Sequence, residues 1–250
     1  MTRDRRTRKT DDRRGRKPKQ KDHRRDARRP AATRPKTPKR AGLPIVVATK
    51  NPAKAHELAK LLEETPFTVV GAELIADLQA PVEDGATFRA NAVKKALHYS
   101  RLVDSLVLAD DSGLEIDALD GQPGVRSARL GGPSATDADR VRLILSKMES
   151  VPWERRTARF RCEIAIAQRG EVLASFDGSV EGRIAFEPEG SAGFGYDPIF
   201  FYEPMRMTFA AMTAEEKHHV SHRGKALERA VDWLKHWCAR KSEPGSGSSG

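Results

Sequence analysis

The stretch LADDSGLEIDAL, residues 108–119, is an apolar strand sequence that ends in two adjacent carboxylates, Asp110 and Asp111, before Ser112 and Gly113. Successive strand residues point to opposite faces of a sheet, so only one of the two acids can look into a cleft. The other must be buried, paired or turned outward. Acid pairs at strand ends are common metal holders, although a solvated turn after a strand has the same pattern. The surroundings add chemistry to the acids. GQPGVRSAR, residues 121–129, is a Gly/Pro-punctuated loop carrying Arg126 and Arg129, and FGYDP, residues 194–198, sets aromatics beside another acid.

On either side of this strand the patterning alternates between helix and strand. LPIVVAT (43–49) reads as a buried strand, TKNPAK (49–54) as a turn, and AHELAKLLEE (55–64) as a helix with Leu58, Leu61 and Leu62 on one side. A second strand is expected near 67–71. After the polar loop PVEDGAT (81–87), Thr87 is placed to cap a helix running to about Val103. ATDADRVRLILSKME (135–149) predicts a helix opened by a capping box from Thr136 to Asp139, with Val141, Ile144, Leu145 and Met148 as its buried stripe. TARFRCEIAIAQ and EVLASFDGSVEG flank a short RG turn as an antiparallel hairpin, and a helix bearing Leu227, Val231, Leu234 and Cys238 closes the folded part. Strands mixed with helices and a hairpin predict an α/β fold on a mixed sheet.

Charge divides the chain. The net charge of +10 conceals a segment, residues 1–42, with 19 Lys and Arg against 5 Asp, or net +14; the remainder is net −4. That segment lacks serine and aromatics and cannot bury enough surface to offset its ordering entropy, so it is expected to be disordered. The domain follows over 43–240, and GSGSSG ends a flexible tail over 241–250. No run approaches a membrane span or a secretion signal, which predicts a cytoplasmic protein. Cys162 and Cys238 lack CxxC spacing and read as two reduced thiols.

Four constellations carry candidate chemistry. TKNPAK places Thr49, Asn51 and Lys54 between a strand end and a helix start, where free backbone N–H groups favour an anion such as a polyphosphate; a plain capped turn with Pro52 at the first helical position explains it equally. Glu83, in a loop, is a candidate to join Asp111 around Mg²⁺, which prefers carboxylates and keeps several waters. In FGYDP, Asp197 is expected to be held extended by Pro198, so that a flat base stacks on Phe194 and Tyr196 while the acid meets its edge; a core strand with an aromatic pair is the alternative. EEKHHVSHRGKAL crowds Lys217, His218, His219, His222, Arg223 and Lys225 at one helix start. His218 and His222 have zinc-like spacing but no HExxH glutamate, which favours phosphate or base recognition over zinc, with a solvated basic helix start as the bland alternative.

Five segments in this order, ATKNPAK (48–54), EDGATFRANAVKKA (83–96), LADDSGLEIDALDGQPGVRSAR (108–129), GFGYDPIFF (193–201) and EEKHHVSHRGKAL (215–227), closely resemble the inosine triphosphate pyrophosphatases. The resemblance spans about residues 44–237. It implies an elongated mixed sheet with flanking helices, two lobes around a central cleft, and a homodimer. It further implies a phosphate loop over Thr49, Lys50, Asn51, Pro52, Ala53 and Lys54, Mg²⁺ on Glu83 and Asp111, Asp111 as catalytic base, and substrate contact by Ser112. The nucleoside pocket falls on Phe194, Gly195, Tyr196, Asp197, Lys217, His222 and Arg223. Many members have glycine at the positions of Lys50 and Ala53 and an aromatic at that of Leu130, so this phosphate loop is stiffer. The implied reaction converts ITP, dITP or XTP to the nucleoside monophosphate and pyrophosphate. Hypoxanthine and xanthine present a 6-oxo acceptor where adenine presents a 6-amino donor, which a cation such as Arg223 cannot satisfy. The rival from another class is a nonspecific nucleic-acid-binding protein acting through its basic arm, residues 1–42.

Overall fold

The computed structural model describes residues 42–49, 51–63, 65–70 and 79–242. The expected disorder of the basic extension falls outside these residues, apart from Gly42. The expected tail does so beyond Ser242, where the last helix ends.

Seven strands form one sheet in the order β2-β1-β3-β4-β5-β6-β7. They are β1 (Leu43–Val47), β2 (Phe67–Val70), β3 (Leu106–Ile116), β4 (Thr157–Gln168), β5 (Glu171–Ile184), β6 (Phe200–Tyr202) and β7 (Met207–Thr208). β1 lies parallel to both β2 and β3, and every pairing from β3 onward is antiparallel, so the sheet is mixed as expected. The hairpin of β4 and β5 forms over the predicted segments, with a register shift at Ile166/Ala167.

Among the described residues five α-helices flank the sheet: α1 (Pro52–Leu62), α2 (Phe88–Ser100), α3 (Asp137–Lys147), α4 (Ala214–Val220) and α5 (His222–Ser242). Their starts follow side-chain capping. Thr87 accepts from the Ala90 N–H, and Thr136 and Thr213 each form a capping box, with Asp139 and Glu216. α2 stops at Ser100, short of the expected Val103, because its buried stripe of Phe88, Ala92, Ala96 and Tyr99 ends there and Leu102 faces solvent.

Period-two alternation along β3 decides which helix each acid meets. Leu106 and Leu108 join a cluster with Leu58 and Leu62 of α1 and Leu227 and Leu234 of α5. Val107 and Ala109 point the other way, against Ala92, Ala96 and Tyr99 of α2. A second lobe gathers around Leu114, Ile116, Phe160, Val180, Phe200 and Phe209, closed by Val141 and Ile144 of α3 and by Met148 at its C-cap. β3 runs through both lobes. The expectation that the strand ends at Asp110 and Asp111 is therefore wrong: β4 stays hydrogen-bonded to β3 through the acids as far as Ile116. What ends there is β1, whose pairing with β3 stops at Val47↔Leu108.

Candidate active site

Because β1 stops one residue short of the acids, its loop and the N-terminus of α1 turn across β3 at that point. Asn51 accepts from the Lys54 N–H at 3.3 Å and Thr49 from the Asn51 N–H at 3.2 Å, so the turn is a capped helix start. That was one of the two readings of TKNPAK, and it leaves the loop beside the cleft, which Thr49, Asn51 and Lys54 line. Lys50 lies outside the described residues, and only the backbone of Pro52 and Ala53 is described, as the first turn of α1.

Asp110 faces the α1 and α5 side and is fully buried. Its Oδ2 accepts from Lys54 Nζ at 2.8 Å and lies 3.7 Å from Arg223 Nε. Burial works against its charge, but Lys54, Arg223 and Lys95 outweigh that and hold the carboxyl well below the usual range. Arg223 also binds Glu57 at 2.6 Å and the Ser112 hydroxyl at 3.0 Å. One buried carboxylate thus ties Lys54, in the first turn of α1, to Arg223, in the first turn of α5.

Asp111 faces α2. Its Oδ2 accepts from Asn91 Nδ2 at 3.1 Å, and the Asn91 side-chain oxygen accepts the Gly85 N–H at 2.8 Å, which binds the Glu83 loop to the same asparagine. Arg129 donates to the Glu83 carbonyl at 2.8 Å. Lys95, one helical turn beyond Asn91, places its ammonium 2.8 Å from the Glu83 carboxylate and 3.5 Å from that of Asp111. Burial raises the Asp111 pKa, with Lys95, Lys54 and Asn91 pulling against it. Among the described residues no three His, Cys, Asp or Glu side chains group to hold a metal, and the carboxylates that meet at Lys95 are Glu83 and Asp111. Two hard oxygen donors converging on one cationic centre fit Mg²⁺, which takes one or two carboxylates and fills its other positions with water and phosphate oxygens.

The far end of the cleft is built from the loop before β6 and the junction of α4 and α5. Asp197 does not stand extended. Asp197–Ile199 is a 3₁₀ turn with Pro198 inside it, because Pro198 needs no N–H in a first turn and the Asp197 carboxylate accepts the Phe194 N–H at 2.9 Å. Gly193, at φ +76°, makes this possible: a Cβ there would stand 2.1 Å from Asp197 Oδ2. Lys217 Nζ binds the same oxygen at 2.6 Å and sits 5.1 Å above the Phe194 ring, with the Arg223 guanidinium 5.3 Å above it. Tyr196 is not an open stacking wall, since it is buried and its hydroxyl donates to the Ser127 carbonyl at 2.8 Å. His222 is stacked on Phe160 at 4.7 Å, and burial, reinforced by Arg223 and Lys217, keeps it neutral with a pKa well below the ordinary histidine value. Gly178 lets α5 begin so close to β5: a Cβ there would lie 2.1 Å from the His222 carbonyl.

Thr49, Asn51, Lys54, Glu83, Asp111, Ser112, Phe194, Gly195, Tyr196, Asp197, Lys217, His222 and Arg223 all border one cleft of about 600 Å³. A larger hollow of about 770 Å³ beside it, lined by Arg89, Glu115, Arg126, Arg161 and Glu163, contains none of them. Sequence reasoning missed Glu57, Asn91, Lys95, Asp137 and Arg140 as parts of the site. Asn91 and Lys95 did carry a signal, a polar i, i+4 pair beside the Ala92/Ala96 stripe.

A sequence profile of the Ham1 family matches residues 45–233. The chain is 46% identical over 190 residues to the dITP/XTP pyrophosphatase of Geobacter sulfurreducens, covering 76% of this chain and 96% of that protein. It is 42% identical over 184 residues to the dITP/XTP pyrophosphatase of Bacillus subtilis, covering 74% and 93%. The solved HAM1 protein of Coxiella burnetii superposes with a TM-score of 0.72 at 39% identity, over 78% of this chain and 99% of that one. A nucleoside-triphosphatase and dITP/XTP pyrophosphatase of Mycobacterium abscessus follows at 0.62 and 39%, over 77% and 100%. With the family profile matched over residues 45–233 and a solved HAM1 protein superposed on 78% of its length, this chain belongs to the Ham1 family.

Proposed function

We propose that this protein hydrolyses the non-standard purine nucleoside triphosphates ITP, dITP and XTP to the nucleoside monophosphate and pyrophosphate. The observation that carries this is the single cleft in which the Asp111 carboxylate stands between the capped turn of Thr49 to Lys54 and the Lys217, His222 and Arg223 corner. The relatives named dITP/XTP pyrophosphatases support it.

In this reaction a water attacks the α-phosphorus. The new P–O bond forms as the bond to the bridging oxygen breaks, pyrophosphate leaves with the electron pair, and the water's proton passes to Asp111. Asn91 fixes the carboxylate through one oxygen and leaves the other toward Lys95 and the cleft. Its burial-raised pKa brings it closer to the working range of a general base. Lys54, held by Asp110, is placed to stabilise charge on the departing pyrophosphate. Glu83 and Asp111 would hold Mg²⁺, which when bound supplies neutralisation of phosphate charge and a lower pKa for nearby water. Arg223 and Lys217 offer donors only, which suit a 6-oxo purine and leave a 6-amino group unsatisfied.

The same reading includes a catalytic domain over 43–240, flanked by the basic extension and the short tail, acting as a homodimer in the cytoplasm. The +14 extension supports an added nonspecific affinity for nucleic acid. Among the described residues no helix is long and apolar enough to cross a membrane. A pyrophosphate-release assay with ITP, dITP, XTP, GTP and ATP in Mg²⁺ tests the activity. Failure to cleave ITP, dITP and XTP faster than ATP refutes it, and sedimentation velocity checks the dimer.

A further inference from the structure

The cations at the α4–α5 corner read one edge of the base, and the cleft has another cation that comes from a different element. α3 opens with the Thr136/Asp139 capping box and turns Asp137 and Arg140, three residues apart, toward the loop of Phe194 and Tyr196. Asp137 Oδ2 accepts the Gly195 N–H at 2.7 Å, and its Oδ1 binds Arg140 Nη1 at 2.8 Å. The Arg140 side chain is only 14% exposed, and its Nε is buried without a hydrogen-bond partner among the described residues. Gly195 stands at φ +65° with nothing within 4 Å of where a Cβ would be, so the space over it is open. An arginine whose Nε is unpartnered among the described residues therefore lines the cleft from α3, a different element from those that carry Lys217 and Arg223.

We propose that Arg140 is a specificity-determining residue that reads the substituent at position 2 of the purine. It donates to the 2-oxo group of xanthine and excludes the 2-amino group of guanine. This rests on reading the cleft as a purine triphosphate site. Once the 6-oxo group has met Arg223 and Lys217, the substituent that separates the three bases is the one at C2, which bears hydrogen in hypoxanthine, an acceptor oxygen in xanthine and a donor amine in guanine. A guanidinium has donors alone. It satisfies the oxygen, is indifferent to the hydrogen, and leaves the amine facing another donor, which is costly in a desolvated pocket. Asp137 accepts from the Gly195 N–H through one oxygen and from Arg140 through the other, which sets the direction of the guanidinium.

The test is kcat/KM for XTP, ITP and GTP, by pyrophosphate release in saturating Mg²⁺, for the wild type and for Arg140→Met, Arg140→Lys and Asp137→Asn. Ratios between substrates are used because a lowered folded fraction cancels from them. Arg140→Met should lower the XTP/ITP ratio at least tenfold and raise GTP/ITP, with Arg140→Lys in between. Asp137→Asn, which loosens the Gly195 loop but keeps the guanidinium, should move all three substrates together. Calorimetric binding of XMP, IMP and GMP should follow the same order. Unchanged ratios in Arg140→Met, or an equal loss on all three substrates, overturn the assignment. A wild type that cleaves none of the three refutes the reading of the cleft, and the inference with it.

Discussion

Asp110 and Asp111 are neighbours on one strand, yet neutralising them should produce opposite signatures. Asp110→Asn removes a fully buried charge that lies 2.8 Å from Lys54 Nζ and 3.7 Å from Arg223 Nε. At an effective dielectric of about 20 these contacts correspond to about 6 and about 4 kcal/mol of attraction. Much of that is offset by the desolvation of the carboxylate. The depressed Asp110 pKa shows that attraction prevails, and the net loss on breaking such a buried pair is about 3 kcal/mol or more. In a domain of this size that lowers the melting temperature by roughly 6 to 12 °C. Asp111→Asn should behave otherwise. Burial already disfavours that charge, so a neutral isostere should leave stability at or slightly above the wild-type level, while kcat falls by about a hundredfold or more with the loss of the base. Urea and thermal melts at pH 7.5, with pyrophosphate release at saturating ITP, separate the two. Equal melting temperatures for wild type and Asp110→Asn, or near-normal turnover by Asp111→Asn, would refute this division of roles.

Three further outcomes are expected. His222 has a folded pKa well below its unfolded value of about 6.5, so the unfolded state binds the extra proton between the two values. Its contribution to stability is complete above pH 6.5 and is lost as pH falls below it, at up to about 1.4 kcal/mol per pH unit; His222→Gln should flatten that slope in urea melts from pH 7.5 to 5. Lys95→Met should leave Glu83 and Asp111 facing each other without their shared ammonium, so the Mg²⁺-induced rise in melting temperature should be larger than in the wild type, and an equal rise would count against a metal between these acids. Deleting residues 1–41 should leave kcat/KM for ITP within about twofold while abolishing a salt-sensitive affinity for duplex DNA or RNA, read by fluorescence anisotropy at two salt concentrations.

The secondary structure was legible where one local rule acted alone. Thr87 and Thr136 announced their helices because a cap needs only residues three positions away, and the β4–β5 hairpin showed because its partners are adjacent in the chain. The reading failed where distant contacts overrode a local preference. Pro198 argues for extended backbone at Asp197, but the hydrogen bond to Phe194 and the Lys217 ammonium, twenty residues on, hold a 3₁₀ turn instead. The strand appeared to stop at the acids because their charge ends the apolar run. Lys54, Arg223, Asn91 and Lys95 compensate those charges from two helical faces, and β3 continues to Ile116.

The same physics explains why the site was easier to find than to apportion. Alternation along β3 shows that Asp110 and Asp111 must face different layers, but not which layer is richer in cations. That is settled in three dimensions. On the α1 and α5 side Asp110 meets a lysine and an arginine with no open water and becomes a permanent anion. On the α2 side burial raises the proton affinity of Asp111, and the shared ammonium and the neutral amide it meets there offset that only in part. A fixed anion organises the cations around the phosphates, whereas a carboxylate with raised proton affinity can take a proton from water. On the proposed reading one layer of the sheet positions the substrate and the other carries the base, and the strand that joins them keeps the two functions a single residue apart.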